Sequence, residues 1–191
     1  MDLGWETHFQ KIVVAGWQSY LRSEHALSAA VKGEDPDALE EARFAALREG
    51  GSAALYLHHF SDIVKNDRPD ALPKELKSIR EIRLWVESNC KMLRTDEVVR
   101  DVSLLADVAD ALKHSHLTNR VDERQVAARD AVLTTNTGFG GLRYGEGKYG
   151  GVEQVLILAK SGNRALSSVL QNVIDAWRVS LDLPMPVISE P

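Results

Sequence analysis

Apolar residues recur along most of this chain at steps of three and four, and the runs are broken by glycine and proline. That pattern predicts a set of amphipathic helices. The sharpest stripe lies between Thr95 and about His116, where Val98, Val102, Leu105, Ala109 and Leu112 share a face. Val99, Leu104 and Val108 widen it, so much of this helix should meet other protein. Thr95 is the expected N-cap, with Asp96 and Glu97 at the positive end of the helix dipole and Lys113 and His114 near its negative end. The opposite face carries Arg100, Ser103, Asp107, Asp110 and His114.

Three more helices precede it. Trp5 to about Val31 reads as one helix that places Trp5, Phe9, Ile12, Gly16 and Tyr20 on one face, flanked by Val13 and Trp17, with Ser23 as the one place where it could break. His8 falls beside Phe9 and Ile12 and reads as a packed side chain. After the break at Gly33 to Pro36, Asp37 and Glu40 have the spacing of a reciprocal capping pair. A long helix from Ala38 to about Lys65 follows, with Leu39, Ala42, Ala46, Gly50, Ala53, Leu57, Phe60 and Val64 as its stripe. The small residues in its middle imply close packing, or a kink at Gly50-Gly51. Asn66 to Pro73 is the second break. Glu75 to about Leu93 then turns Ile79, Ile82, Val86 and Leu93 inward, with Cys90 as a small buried hydrophobe.

Beyond Leu117 the period changes. A strand is expected at Ala131 to Asn136, a stronger one at Val152 to Lys160 (VEQVLILAK), a turn at Ser161-Gly162-Asn163, and a short strand at Arg164 to Leu166. Ser168 and Gln171 read as a capping pair for a last helix whose stripe is Leu170, Val173, Ile174, Trp177 and Leu181; Pro184 and Pro186 stop it. The fold expected is mainly α, a bundle of about five helices with a small β-hairpin inserted before the C-terminal helix. It forms one domain: residues 1–117 as bundle, 125–166 as an excursion, and 168–182 as the closing helix.

Composition narrows the function. With 191 residues, 44% of them hydrophobic, the chain can bury a core without cross-links. Its net charge of −5 leaves no global basic field for nucleic acid. A single cysteine excludes an internal disulfide and a cysteine-rich zinc site. No apolar run approaches the ~20 residues of a membrane helix. The first residues, MDLGWETHFQ, lack the basic and apolar regions of a signal peptide, so a cytoplasmic protein is expected.

Two places offer chemistry. Between Gly138 and Gly151 stand seven glycines, with Phe139, Tyr144 and Tyr149 every five residues and Arg143 and Lys148 directly before the tyrosines. Aromatic rings beside cations can stack on single-stranded bases. Alternatively the rings fold back onto the bundle, and at least one tyrosine is expected to dock. The second place is the polar stripe, where Asp107, Asp110 and His114 could present ligands to a metal, with His58, His59 and Asp62 completing a site across the bundle. The Glu-x-x-His pairs of helical metal sites do not occur, and no metal or cofactor is expected. No Gly-x-Ser-x-Gly elbow and no Walker loop occurs, and the glycines of 138–151 lack a strand-to-helix setting.

The string ADALKHSHL, Ala109 to Leu117, resembles the A-x-x-x-KH-x-x-L helix of certain bacterial and phage proteins. More distantly it resembles helices of HEPN-like bundles, many of which are metal-independent ribonucleases or interaction modules. The resemblance covers about twenty residues. It implies a role for Lys113 and His114, with Arg100 as a further candidate. HEPN nucleases carry Arg-x4-6-His, and no arginine stands at that spacing before His114 or His116. The leading expectation is therefore a non-catalytic helical scaffold or interaction protein, meeting a protein partner or a second copy, or single-stranded nucleic acid at the glycine loop. The alternative is a HEPN-like ribonuclease or RNA-binding protein.

Overall fold

A π-helical stretch beginning at Phe9 decides which face of the first helix is buried. The computed structural model describes residues 4–92, 95–114, 121–135 and 153–184. Helix α1 covers 5–30 and comprises Trp5–His8, the π-helical Phe9–Val14 and Ala15–Ala30. Its wider turns, closed by bonds five residues apart, bring Val13 and Val14 into line behind Phe9 in place of Ile12. The buried face is thus Phe9, Val13, Val14, Trp17 and Tyr20, while Ile12 and Gly16, expected to lead it, are only half-buried. No break occurs at Ser23, whose hydroxyl donates back to the Tyr20 carbonyl within the helix. His8 stacks on Phe60, with ring centroids 6.2 Å apart.

Helix α2 is Pro36–Asp67. Its cap is Asp35, not the expected Asp37–Glu40 pair. Asp35 has the extended backbone an N-cap needs, its carboxylate accepts from the Asp37 and Ala38 amides, and Pro36 takes the first helical position. The expected stripe holds from Ala46 on, with Ala46, Gly50, Ala53, Leu57, Phe60 and Val64 all buried, while Leu39 and Ala42 at its start are half-buried. Arg68 ends the helix in the left-handed region, and its guanidinium donates to the carbonyls of Pro73 and Leu76.

Those bonds occupy carbonyls of the connection, and helix α3 is only Ile79–Glu87, shorter than the expected 75–93. Ser78 caps it: its hydroxyl accepts from the Glu81 amide, and the Glu81 carboxylate accepts from the Ser78 amide. Leu93 falls outside the described residues. Helix α4 is Asp101–His114 and does not begin at Thr95. Residues 95–99 instead double back. Lys91 and Val98 form an antiparallel bridge, the Val99 amide donates to the Cys90 carbonyl, and the Met92 amide to the Glu97 carbonyl. In that extended stretch neighbouring side chains point opposite ways. Val99 is buried and Val98, expected in the core stripe, is 57% exposed. Thr95 belongs to this turn and caps nothing helical.

The expected hairpin is a three-stranded antiparallel sheet, β1 (Val132–Thr135), β2 (Gln154–Ala159) and β3 (Gly162–Ala165), in the order β1-β2-β3. Val132 pairs with Ile157 and Leu156 with Ala165. Gly162, at φ +128°, opens β3 in a conformation that suits glycine. Helix α5, Leu166–Ser180, follows β3 without a linker. Its N-cap is Ala165, so Ser168 lies inside the first turn and does not pair with Gln171, which donates to Asp175. Leu170, Val173, Ile174, Trp177 and Leu181 are all buried. The Trp177 ring meets Phe60 edge-on at 4.9 Å, and Phe60 meets Phe9 at 5.1 Å, so α5, α2 and α1 share one aromatic column. Five longer helices, two 3-10 helices (Val121–Glu123 and Arg129–Ala131) and this sheet are the regular elements among the described residues, and none of the helices is long and apolar enough to cross a membrane.

Gly50 and Gly51 test this packing. A Cβ at Gly50 would stand 2.8 Å from Leu166 Cδ2 and 3.0 Å from the Tyr20 ring, whereas one at Gly51 would meet Leu112 at an ordinary 3.5 Å. Gly51→Ala should therefore stabilise by up to about 1 kcal/mol through helix propensity alone. Gly50→Ala should destabilise by about 1–3 kcal/mol, because overpacking outweighs that gain. Chemical denaturation of both variants decides it, and stabilisation by Gly50→Ala would contradict the packing described.

Candidate functional site

The polar stripe of α4 does not stand open to solvent along its length. Ser103 donates its hydroxyl to Glu87 Oε1 at 2.9 Å and its amide to Glu87 Oε2 at 2.7 Å, tying α4 to α3. Arg124, in the turn after the 3-10 helix Val121–Glu123, donates from Nη1 to Asp107 at 3.2 Å and to Asp110 at 3.0 Å. The Gln125 amide adds a 2.7 Å bond to Asp107. Burial raises the Asp107 pKa, outweighing the pull of the Gln125 amide and the Arg124 charge. The two carboxylates singled out as metal ligands thus serve as acceptors for one arginine. Among the described residues no group of three His, Cys, Asp or Glu is placed to hold a metal ion.

The catalytic candidates are separated. Lys113 and His114 are exposed on the last turn of α4, and Arg100 is exposed just before its first. At about 1.5 Å per residue, fourteen residues put Arg100 and His114 about 20 Å apart, too far to act on one bond. The histidines of α2 face elsewhere. His58 Nε2 is 3.2 Å from Arg83 Nη2, so the ring accepts there and carries its proton on Nδ1. Arg83 also donates from Nε to Ser61 at 2.9 Å. His59 Nδ1 meets Asp62 at 3.2 Å on the surface. Burial, then the Arg83 charge, lowers the His58 pKa to about 4, so its ring is neutral near pH 7. The space beside His58 and Arg83 is about 10 Å³, no larger than a single water requires and closed to a substrate.

Two larger concavities are open. One, of about 440 Å³, lies over the first turns of α4 and is lined in part by Arg100, Asp101, Ser103, Asp107 and Arg164. The other, of about 410 Å³, lies beside α2 between Phe44, Leu55, Leu112 and Val132. Cys90 is in neither. It is fully buried, and burial pushes its thiol up to about 12, well away from nucleophilic use at neutral pH. Phe139, Arg143, Tyr144, Lys148 and Tyr149 fall outside the described residues.

Sequence reasoning passed over Asp101, Glu24, Asn172, Arg83 and Arg124. For the first three a signal existed. Asp101 stands four before Leu105, Glu24 four after Tyr20, and Asn172 three after Val169, each in the phase of an apolar stripe. A charged or amide side chain in that phase must be paired on burial. For Arg83 and Arg124, on half-exposed surfaces, no such signal exists. No family model matches the chain, and no curated protein or solved structure matches it either.

The half-buried imidazole of His58 carries a pH signature. An unfolded His58 takes up a proton near 6.5, whereas the folded one resists until about 4. Its contribution to stability is therefore complete above about pH 6.5 and is lost as pH falls towards 4, by on the order of 2 kcal/mol. Asp101 and Asp107, whose pKa values burial raises, act with the opposite sign, so the useful comparison is between parent and variant. His58→Gln should flatten the acid limb of the stability profile. Parallel profiles for the two proteins would contradict a ring held neutral in the folded state.

Proposed function

We propose that this chain is a non-catalytic helical scaffold that works through contacts made by its surface. One observation carries the reading: most of the side chains with catalytic potential among the described residues are tied to one another across elements of the fold. Asp107 and Asp110 take Arg124, Asp101 takes Arg164, and His58 meets Arg83 beside a space of about 10 Å³. A general base needs hydrogen-bond reach to a substrate proton, and His58 has no room for one. Lys113 and His114 are accessible, but Asp110, the stripe carboxylate one turn before His114, is already engaged by Arg124.

A second reading, a HEPN-like metal-independent ribonuclease, draws support from the neutral His58 ring against the Arg83 guanidinium. The two readings part on one experiment. The purified chain is incubated with end-labelled single-stranded RNA in the presence of a chelator. The expected result is intact RNA at every time point. Cleavage that disappears in His58→Ala or in His114→Ala would overturn the scaffold reading.

A further inference from the structure

The groove beside α2 has a composition unlike the rest of this acidic chain. Leu47, Leu55, Leu112 and Val132 supply apolar walls, and among the described residues the charged side chains lining its volume of about 410 Å³ are Arg48 and Arg129. On its rim Phe44 is 63% exposed. A phenyl ring left in water beside an apolar groove is a contact waiting for its other half, since burying such a ring is favourable by about 1.5–3 kcal/mol.

The order of residues on α2 indicates what that half is. Asp37, Glu41, Phe44, Arg48, Ser52 and Leu55 follow one another at steps of three and four, so they share a face of the helix. Along that face the charge is acidic before Phe44 and basic after it. Such an order is complementary to its own reverse, which is the condition for an isologous two-fold contact, where the same patch serves both molecules. We propose that a second copy of this chain covers the groove, with the two α2 helices crossing antiparallel between Phe44 and Arg48. In that register each Phe44 lies level with the other copy's Arg48 and over its groove. Each Glu41 lies level with the other copy's Gly51, one helical turn from Arg48. Gly51 and Ser52 present little bulk where the ring arrives. Nucleic acid fits less well, because the groove offers aliphatic walls in place of stacking surfaces, and Glu40 and Glu41 stand exposed close to Phe44.

This inference rests on the scaffold reading and names its partner. It is tested by sedimentation velocity of the full chain over a concentration series. The expected result is a species of twice the monomer mass that dissociates on dilution. Phe44→Glu should be monomeric at every concentration and should melt where the dilute, dissociated wild-type chain does. Glu41→Arg and Arg48→Glu should each weaken the dimer about tenfold or more, and the double variant Glu41→Arg/Arg48→Glu should recover most of the loss, since the swapped charges again oppose. A wild-type chain that stays monomeric throughout, or a dimer indifferent to Phe44→Glu, would overturn the proposal. Either result leaves the scaffold reading standing, because only hydrolysis of RNA contradicts that.

Discussion

Three elements of this fold meet on one carboxylate. Asp101, the first residue of α4 and 1% exposed, accepts from Arg164 Nη1 at 2.7 Å and Nη2 at 2.8 Å, and from Asn172 Nδ2 at 2.7 Å. Arg164 lies on β3 and Asn172 on α5. Taking an ion from water costs several kcal/mol, and this is offset only when the partner geometry is good and the remaining lone pairs are occupied. Burial raises the Asp101 pKa even so, with Arg164 and Asn172 opposing it. Any movement of α4, β3 or α5 relative to the others would leave a charge in the interior without its partners. That requirement also explains why the chain before Asp101 is not helical, since residues 95–99 turn back to pair with 90–92 and deliver Asp101 into the core.

The sheet depends on ties of the same kind. Three short strands are marginal without packing against helices. Glu24, fully buried on α1, accepts the Tyr20 hydroxyl at 2.6 Å and the Val155 amide at 3.3 Å, fastening β2 to α1. Burial and the Glu24 charge hold the Tyr20 hydroxyl well above its ordinary pKa, so it remains a donor. Arg43 on α2 grips Glu153, just before β2, through two bonds of 2.6 and 3.0 Å. Around these ties lies the apolar column of Phe9, Phe60 and Trp177. Polar contacts set the orientation of the elements, and hydrophobic burial supplies most of the driving force.

The helices were legible wherever one face is apolar and the backbone bonds are local. The stripe of α2, from Ala46 to Val64, and that of α5, from Leu170 to Leu181, are buried as their spacing predicts. What the spacing did not reveal was set by backbone and side-chain bonds that the apolar period does not encode. Val98 matches the helical stripe of α4 in step, yet its backbone is taken by Lys91 in an extended bridge. The π-helical stretch rotates the buried face of α1 from Ile12 to Val13 and Val14. Ser78-Ile79-Arg80-Glu81 does spell a capping box, and its position marks the true start of α3. The polar stripe Ser103, Asp107 and Asp110 was legible as a set, but not its purpose. Arg124, seventeen residues from Asp107, converts apparent ligands into a fastening.

With so many charged residues fastening the chain's own elements, further contacts fall to exposed groups such as Phe44 and Arg129. The central claim is that the buried charges are structural ties, and a double-mutant cycle on Asp101 and Arg164 tests it most directly. Asp101→Ala, Arg164→Ala and the double variant are compared by chemical denaturation. Each single change should cost about 3–5 kcal/mol, because it strands the other charge in the interior, and the double change should cost less than the sum of the two by more than about 1 kcal/mol. Single costs below about 0.5 kcal/mol that simply add would contradict the account.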